Sequence, residues 1–99
     1  MKKRRLKISP KGMDDLEGIY KYSYDNFGQK KAREYVADID EAFEKITDNP
    51  NLGYDYSEVF TDGRAVLVAS HVIVYKVSET IVTVVRVLHK SMDYKRHLN

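Results

Sequence analysis

The segment from Arg64 to Leu88 constrains the fold most, because Val, Ile, Leu and Tyr dominate it and these residues favour the pleated surface of a β-sheet. The stretches Val72–Val77 and Ile81–Leu88 are apolar on both faces, which is typical of central strands covered by other elements. Ser78–Thr80 is a polar break of hairpin length. We therefore predict two adjacent antiparallel strands, preceded by a third strand at 64–68. Strict alternation along the last strand predicts two sets of residues on opposite faces: Ile81, Thr83, Val85 and Val87, and Val82, Val84, Arg86 and Leu88.

The residues before this segment predict one edge strand and two helices. Lys2–Ile8 alternates basic and apolar residues, as in an edge strand whose charges oppose aggregation. Ser9-Pro10 has the residue types of a helix start, and Gly28 is a natural stop for that helix. Apolar residues recur at three- and four-residue spacing over Gln29–Asp48, which predicts a second helix that ends at Asn49-Pro50.

Together these elements predict an α+β fold in the order β-α-α-β-β-β. It consists of an N-terminal strand, an antiparallel helical hairpin packed on a twisted antiparallel β-sheet, and a short C-terminal tail. The polar stretch Asn51–Gly63 is expected to be an ordered loop with room for a helical turn. A chain of 99 residues corresponds to one domain, 1–99.

Composition excludes several classes of function. The chain has no cysteine, which excludes disulfides and thiolate metal sites and suits a cytoplasmic location. Its three histidines, His71, His89 and His97, are not spaced like metal ligands, so we expect no metal and no cofactor. No apolar run approaches membrane-spanning length, and no apolar h-region follows the basic N-terminal residues, so we expect neither a membrane partner nor export by a signal peptide.

Charge is unevenly distributed along the chain. Residues 13–62 carry five bases and thirteen acids, whereas residues 1–12 carry six bases and no acid, and residues 63–99 carry six bases and two acids. One interpretation is charge balance between the helical layer and the sheet. The other is a basic surface for an acidic partner segment or for a target associated with nucleic acid.

RNA chemistry, if present, is expected in the base-rich C-terminal third. Cleavage through the 2′-hydroxyl needs a base, an acid and positive charge beside the phosphate, and these chemical types occur in Arg64, Arg86, His89 and Arg96. The structural alternative is that the arginines pair with helix acids or with Asp93, and that His89 forms hydrogen bonds at a strand end. No nucleophile motif or glycine-rich phosphate loop accompanies these residues.

Two segments resemble the ParE toxins of the RelE/ParE superfamily: Ser70-His71-Val72-Ile73-Val74-Tyr75, and Val84-Val85-Arg86-Val87-Leu88-His89-Lys90-Ser91-Met92-Asp93. Further similar positions upstream are Asp15-Leu16, Ile19, Gly28, Ala32, Tyr35, Asn49-Pro50 and Leu52-Gly53. The resemblance spans essentially the whole chain. It implies a helical hairpin on a twisted antiparallel sheet, and the toxin of a bacterial type II toxin–antitoxin pair that forms a hetero-oligomer with a ParD-like antitoxin.

Characterised ParE toxins poison DNA gyrase, so the resemblance implies gyrase inhibition, growth arrest and plasmid stabilisation. Inhibition would occur through protein–protein contact, without catalysis and without specific DNA binding by the toxin alone. RelE-like relatives instead cut messenger RNA on the ribosome, and they place an arginine where this chain has Val72. That difference favours a gyrase poison, and a ribosome-dependent endoribonuclease is the alternative. A third possibility is a homologue that binds its antitoxin without being toxic.

Candidate contact residues follow from the resemblance and from the basic end of the sheet. Those expected to contact the target are Arg64, His71, Tyr75, Arg86, His89, Met92 and Asp93. The antitoxin is expected to lay a helical or extended segment across the hairpin and a sheet edge. The residues expected to contact it are Lys3, Arg5, Leu16, Tyr20, Tyr24, Tyr35 and Ile39. The basic N-terminal strand favours acidic residues on that segment.

Overall fold

The computed structural model of the chain describes residues 4–92. Two helices pack on one side of a five-stranded sheet, which confirms the predicted α+β class and the order of its principal elements. The elements in chain order are β1 (Arg5–Ile8), α1 (Pro10–Phe27), α2 (Gln29–Asp48), a 3-10 turn (Pro50–Leu52), β2 (Tyr54–Asp55), β3 (Arg64–Val68), β4 (His71–Val77) and β5 (Ile81–His89).

The helical hairpin begins and turns at the residues that the sequence indicated. At the start of α1 the Ser9 hydroxyl accepts a hydrogen bond from the Gly12 amide at 3.0 Å, and Pro10 occupies the first turn, where no intrahelical donor is needed. Gly28 joins the helices with a φ of 87°, a conformation that glycine adopts readily and L side chains rarely adopt. The second helix then buries its apolar stripe against the sheet.

The strand order of the sheet is β1-β5-β4-β3-β2. The pairs β3–β4 and β4–β5 are antiparallel as predicted, and the short β2 pairs antiparallel with β3. However, β1 runs parallel to β5, from Arg5 beside Ile81 to Ile8 beside Val84. A parallel pair is possible here because most of the chain lies between these two strands, so no tight turn imposes an antiparallel return. The predicted N-terminal strand is an edge strand over 5–8, and the earlier part of that prediction, residues 2 and 3, lies outside the described residues.

A β-bulge at Val85 changes the alternation of β5. Val74 lies opposite Arg86 and Tyr75 lies opposite Val84, so Val85 has no partner in the register between β4 and β5. One extra residue exchanges the two faces of the strand beyond it. Val84 and Val87 consequently both belong to the core on the helical side of the sheet. The prediction that they face opposite sides is wrong, because it assumed strict alternation along the strand and took no account of a bulge.

The other face of the sheet is covered by the loop between β2 and β3. Ala65, Val72 and Val74 form a second apolar cluster there, against Tyr56 and Phe60. The loop predicted over 51–63 is thus ordered, but it also contains the two-residue strand β2, which the sequence did not indicate. Tyr56 and Phe60 thus cover the part of this face around Val72 and Val74. Neither helix in residues 4–92 is long and apolar enough to cross a membrane.

Candidate interaction site

Antiparallel pairing of β4 and β5 brings two histidines together at one end of the sheet, which we call the histidine end. His71 begins β4, His89 ends β5, and their ring centroids lie 5.3 Å apart. Tyr35 approaches from α2, with its hydroxyl 2.5 Å from Nδ1 of His71. Side chains from α2, β4 and β5, which are distant in sequence, therefore meet at the histidine end.

The surroundings of the histidine end favour neutral side chains. Burial lowers the pKa of His71, the neighbouring His89 lowers it further, and Asp15 opposes the shift. Burial also raises the pKa of Tyr35, against the effect of a backbone hydrogen bond from Ser70. His71 is therefore uncharged at neutral pH and adds no positive charge to this end of the sheet.

His89 is held by the turn that follows β5. The Ser91 amide donates to Nδ1 of His89 at 3.1 Å, and the Ser91 hydroxyl lies 2.7 Å from the same nitrogen. Since Nδ1 accepts the amide hydrogen bond, the proton of the neutral ring is on Nε2. This arrangement matches the structural interpretation of His89 as a hydrogen-bonded residue at a strand end.

Arg86 is paired with an acidic residue of α1. Its Nε and Nη2 atoms donate to the two carboxylate oxygens of Asp15 at 2.8 and 2.9 Å, and the Val87 amide donates to the same carboxylate at 2.9 Å. The two charged side chains are only 15% and 14% exposed. The hydrogen bonds with Asp15 raise the pKa of Arg86, although burial opposes this shift. The guanidinium is thus compensated in charge and fixed at the junction of helix and strand.

Arg64 and Tyr75 face each other in register and hold the 3-10 turn. Arg64 Nη2 donates to the carbonyl oxygen of Asn51 at 3.1 Å and to that of Gly53. The Tyr75 hydroxyl accepts from the Gly53 amide at 2.9 Å and donates to the Pro50 carbonyl at 2.8 Å. Tyr75 is fully buried, so its place among the target contacts is corrected: its side chain stabilises the loop and presents no surface to a partner.

The residues considered for RNA cleavage are not gathered at one place. Arg64 pairs with the residue of β4 four positions beyond His71, about 13 Å along the strand. Arg86 lies three residues before His89 on β5, about 10 Å along the strand, and Asp15 engages its guanidinium. Arg96, like Asp93 of the target set, lies outside the described residues.

The antitoxin candidates divide between accessible and inaccessible positions. Those that are exposed or partly exposed are Arg5, Leu16, Tyr20 and Tyr24. Ile39 belongs to the core and has no exposed surface, so the structure corrects its inclusion. Tyr35 is partly buried, and its hydroxyl already contacts His71. Lys3 lies outside the described residues.

A groove of about 400 Å³ opens between α1 and the histidine end. One helical face forms its first wall, through residues at intervals of about four: Asp14, Asp15, Gly18, Ile19, Tyr22 and Ser23. The opposite side consists of His71, Val87, His89 and Met92. Three target candidates, His71, His89 and Met92, therefore share one accessible groove. Gly18 and Tyr22 could not be recognised as functional from the sequence, because helical spacing identifies a face of α1 but not whether another element covers it.

The groove combines apolar surface with carboxylates and histidines. Its wall carries the carboxylates of Asp14 and Asp15, and the cation beside it, Arg86, is compensated. Within residues 4–92 no three His, Asp or Glu side chains are arranged to hold a metal ion. An apolar groove with a polar rim is typical of a protein interaction site.

Comparison with solved structures defines the class of the fold. The chain is similar to a chain of the chromosomal ParDE toxin–antitoxin system from P. aeruginosa, with a TM-score of 0.76 and 22% identity over 87% of this chain and 95% of that one. It is also similar to a chain of the RelBE2 toxin–antitoxin complex from Mycobacterium tuberculosis, with a TM-score of 0.68 and 16% identity over 93% and 97% of the two chains. The fold is that of the RelE/ParE toxins.

Sequence comparison identifies the family of the chain more specifically than its fold does. Residues 6–94 match the family described as the ParE toxin of the type II toxin–antitoxin system parDE. The toxin ParE1 of Mycobacterium tuberculosis is 34% identical over 95 residues, covering 95% of this chain and 97% of the relative. The toxin ParE1 of Caulobacter vibrioides is 30% identical over 92 residues, covering 93% and 95%. The chain belongs to the ParE family of type II toxins, as the resemblance of its strands implied.

Proposed function

We propose that this toxin inhibits DNA gyrase by protein–protein contact, in the cytoplasm, and that a ParD-like antitoxin neutralises it. Membership of the ParE family supports the role as a toxin. The observation that carries the non-catalytic mechanism is the pairing of Arg86 with Asp15. A guanidinium that is compensated and fixed by a helix acid is poorly suited to stabilise a scissile phosphate.

The histidine end supplies the surface that we assign to the target. Tyr22 is 64% exposed and Met92 is 43% exposed, and both line the groove. Large apolar side chains that remain exposed around a partly polar groove favour binding to another protein. Because Arg86 is compensated and His71 is neutral, apolar contact and shape contribute more to this interaction than the basic surface that was one interpretation of the charge distribution.

We assign the antitoxin to the open edge of β1 and the adjoining side of α2. The strand has β5 on one side only, and Arg5 and Lys7 are exposed on it. A second groove, of about 380 Å³, lies between Leu6 of this strand and Phe43 of α2. An extended antitoxin segment with acidic residues would add to this edge and place an apolar side chain in the groove. The ParDE system from P. aeruginosa, which has a similar toxin fold, supports a hetero-oligomer of this kind.

A supercoiling assay with purified gyrase and relaxed plasmid tests the target. Supercoiling is expected to fall as toxin is added, with cleaved DNA accumulating after denaturation of the enzyme. Prior mixing with the antitoxin should restore supercoiling. Unchanged supercoiling at a large excess of folded toxin would reject gyrase as the target.

Charge reversal tests the antitoxin surface. Arg5→Glu combined with Lys7→Glu should weaken antitoxin binding and reduce its dependence on salt, because two attractive charges become repulsive. Lys21→Glu, on the exposed side of α1, is the matched control and should bind normally. Binding that is insensitive to the double reversal would contradict the electrostatic part of this assignment.

A ribosome-dependent endoribonuclease is the second candidate, favoured by the adjacent His71 and His89 rings and by the similarity to the RelBE2 toxin fold. Two histidines in contact supply the chemical types of a general base and a general acid. A translating extract separates the two candidates. Gyrase poisoning predicts that transcripts stay intact, whereas cleavage that disappears in His89→Gln would establish the nuclease.

A further inference from the structure

Gly18 is the one glycine of the five whose place the described structure does not explain. A Cβ at Gly18 would meet no atom within 4 Å, and its φ is not positive. At Gly12, by contrast, a Cβ would lie 3.1 Å from the side chain of Ile8, and at Gly53 it would collide with the Tyr75 hydroxyl. Glycine inside a helix is less favourable than alanine. An outside partner that approaches the helix backbone would account for it.

We propose that Gly18 keeps the backbone of α1 open to a segment of the toxin's target, which places an apolar side chain in the groove at the histidine end. This inference rests on the proposed function, because it concerns the same target. Gly18 lies between Asp14 and Tyr22 on the helical face that forms the groove wall. A methyl group there would project into the groove instead of into the protein core.

The chemistry of the groove indicates what the segment carries. Ile19 and Val87 supply apolar surface, and Tyr22 is exposed one turn beyond Gly18. Asp15 offsets the charge of Arg86, and the exposed Asp14 adds a further negative charge one turn before Gly18. A small apolar side chain against Gly18 and a basic side chain facing Asp14 therefore match the groove.

Other occupants fit less well. The antitoxin surface proposed above uses β1 and α2, whereas this groove uses α1 and the ends of β4 and β5. A second copy that used the same face would bring a second Asp14 to the interface, and no lysine or arginine among the described residues lines the groove to offset it. Like charges at such an interface oppose association.

A steric series at Gly18 provides the test. Gly18→Ala and Gly18→Leu fill the approach to the backbone, and Glu17→Leu places the same leucine side chain at an exposed neighbouring position that does not line the groove. Gly18→Ala should raise Tm by about 4 °C, because alanine favours the helix. It should nevertheless require more toxin for half-inhibition of gyrase, and Gly18→Leu should require at least about ten-fold more. Glu17→Leu should retain wild-type potency.

Growth arrest on induced expression is measured in parallel, since it reports on the target whatever its identity. Equal potency of Gly18→Leu and wild type in both assays would overturn the inference and leave the gyrase proposal intact. A wild type that does not inhibit gyrase but arrests growth would reject gyrase as the target. Growth arrest by the Gly18 variants would then still show whether the groove binds the true target. A wild type inactive in both would overturn the proposed function and the inference with it.

Two further measurements decide between occupants. If Gly18→Leu lowers antitoxin affinity but not toxicity, the groove belongs to the antitoxin and the inference is wrong. If wild type sediments as a dimer and Gly18→Leu as a monomer, the occupant is a second copy, and the inference is again wrong. Circular dichroism and thermal melting of every variant establish that a loss of potency does not come from unfolding.

Discussion

Removing Asp15 should destabilise the protein strongly, because this carboxylate holds α1 to β5. Asp15→Ala removes two hydrogen bonds to Arg86 and one to the Val87 amide, at a site where the charged side chains are about 15% exposed. Breaking a buried ion pair from one side costs about 3–5 kcal/mol. Since this pair keeps some contact with water, we expect the lower end of that range, about 3 kcal/mol.

Arg86→Met should cost less, because the variant keeps the apolar stem and leaves Asp15 its hydrogen bond from the Val87 amide. We expect a loss of about 2 kcal/mol. In the double variant Asp15→Ala/Arg86→Met, the Arg86 side chain that is replaced has already lost its Asp15 partner. Its total loss should therefore be about 3 kcal/mol, which corresponds to a coupling energy of about 2 kcal/mol between the two residues.

Urea unfolding at pH 7, followed by circular dichroism, measures these free energies. Asp25→Ala, at an exposed position on the same helix, is the matched control and should change stability by no more than about 0.5 kcal/mol. A loss below about 1 kcal/mol for Asp15→Ala, or single losses that simply add in the double variant, would refute the reasoning. Arg86 would then be available for a role at a phosphate.

Two other predictions concern His71 and Tyr75. The pKa of His71 is lowered on folding from its ordinary value of 6.5, so the unfolded chain binds more protons; its contribution to stability should be complete above pH 6.5 and decline as pH falls below it. The urea midpoint measured from pH 8 to 5 should show this decline, and an equal decline in His71→Gln would contradict the assignment. Tyr75→Phe removes the hydroxyl that accepts from the Gly53 amide and donates to the Pro50 carbonyl. It should lower the free energy of unfolding measured in urea by about 2 kcal/mol. The exposed Tyr54→Phe should cost almost nothing, and equal midpoints for the two variants would exclude this role.

Periodicity and turn residues were sufficient to predict the principal elements, because their physics is local. Ser9 caps a helix, Gly28 adopts a positive φ, and the apolar stretch from β3 to β5 favours strands, whatever the rest of the chain does. The two-residue β2 and the bulge at Val85 were missed for the same reason. Both depend on pairing with a distant strand, and neither changes the local composition.

The candidate site was only partly accessible from the sequence. A helix acid was expected to pair with Arg86, but the choice of Asp15 depends on how α1 crosses β5. Tyr75 carried the family resemblance, yet alternation cannot tell which face of a strand is accessible. Gly18 did leave a local signal, as a helix-weakening residue in the middle of α1. Only the structure places it beside an open groove.

A stoichiometric titration tests most directly whether this toxin acts by binding and not by catalysis. Toxin is added to a fixed concentration of purified gyrase well above the dissociation constant, and residual supercoiling is measured at several incubation times. Binding predicts a break at a fixed molar ratio of toxin to gyrase, with no further loss of activity over time. Inactivation that continues with time at substoichiometric toxin would contradict the account, because one toxin molecule would then act on many targets.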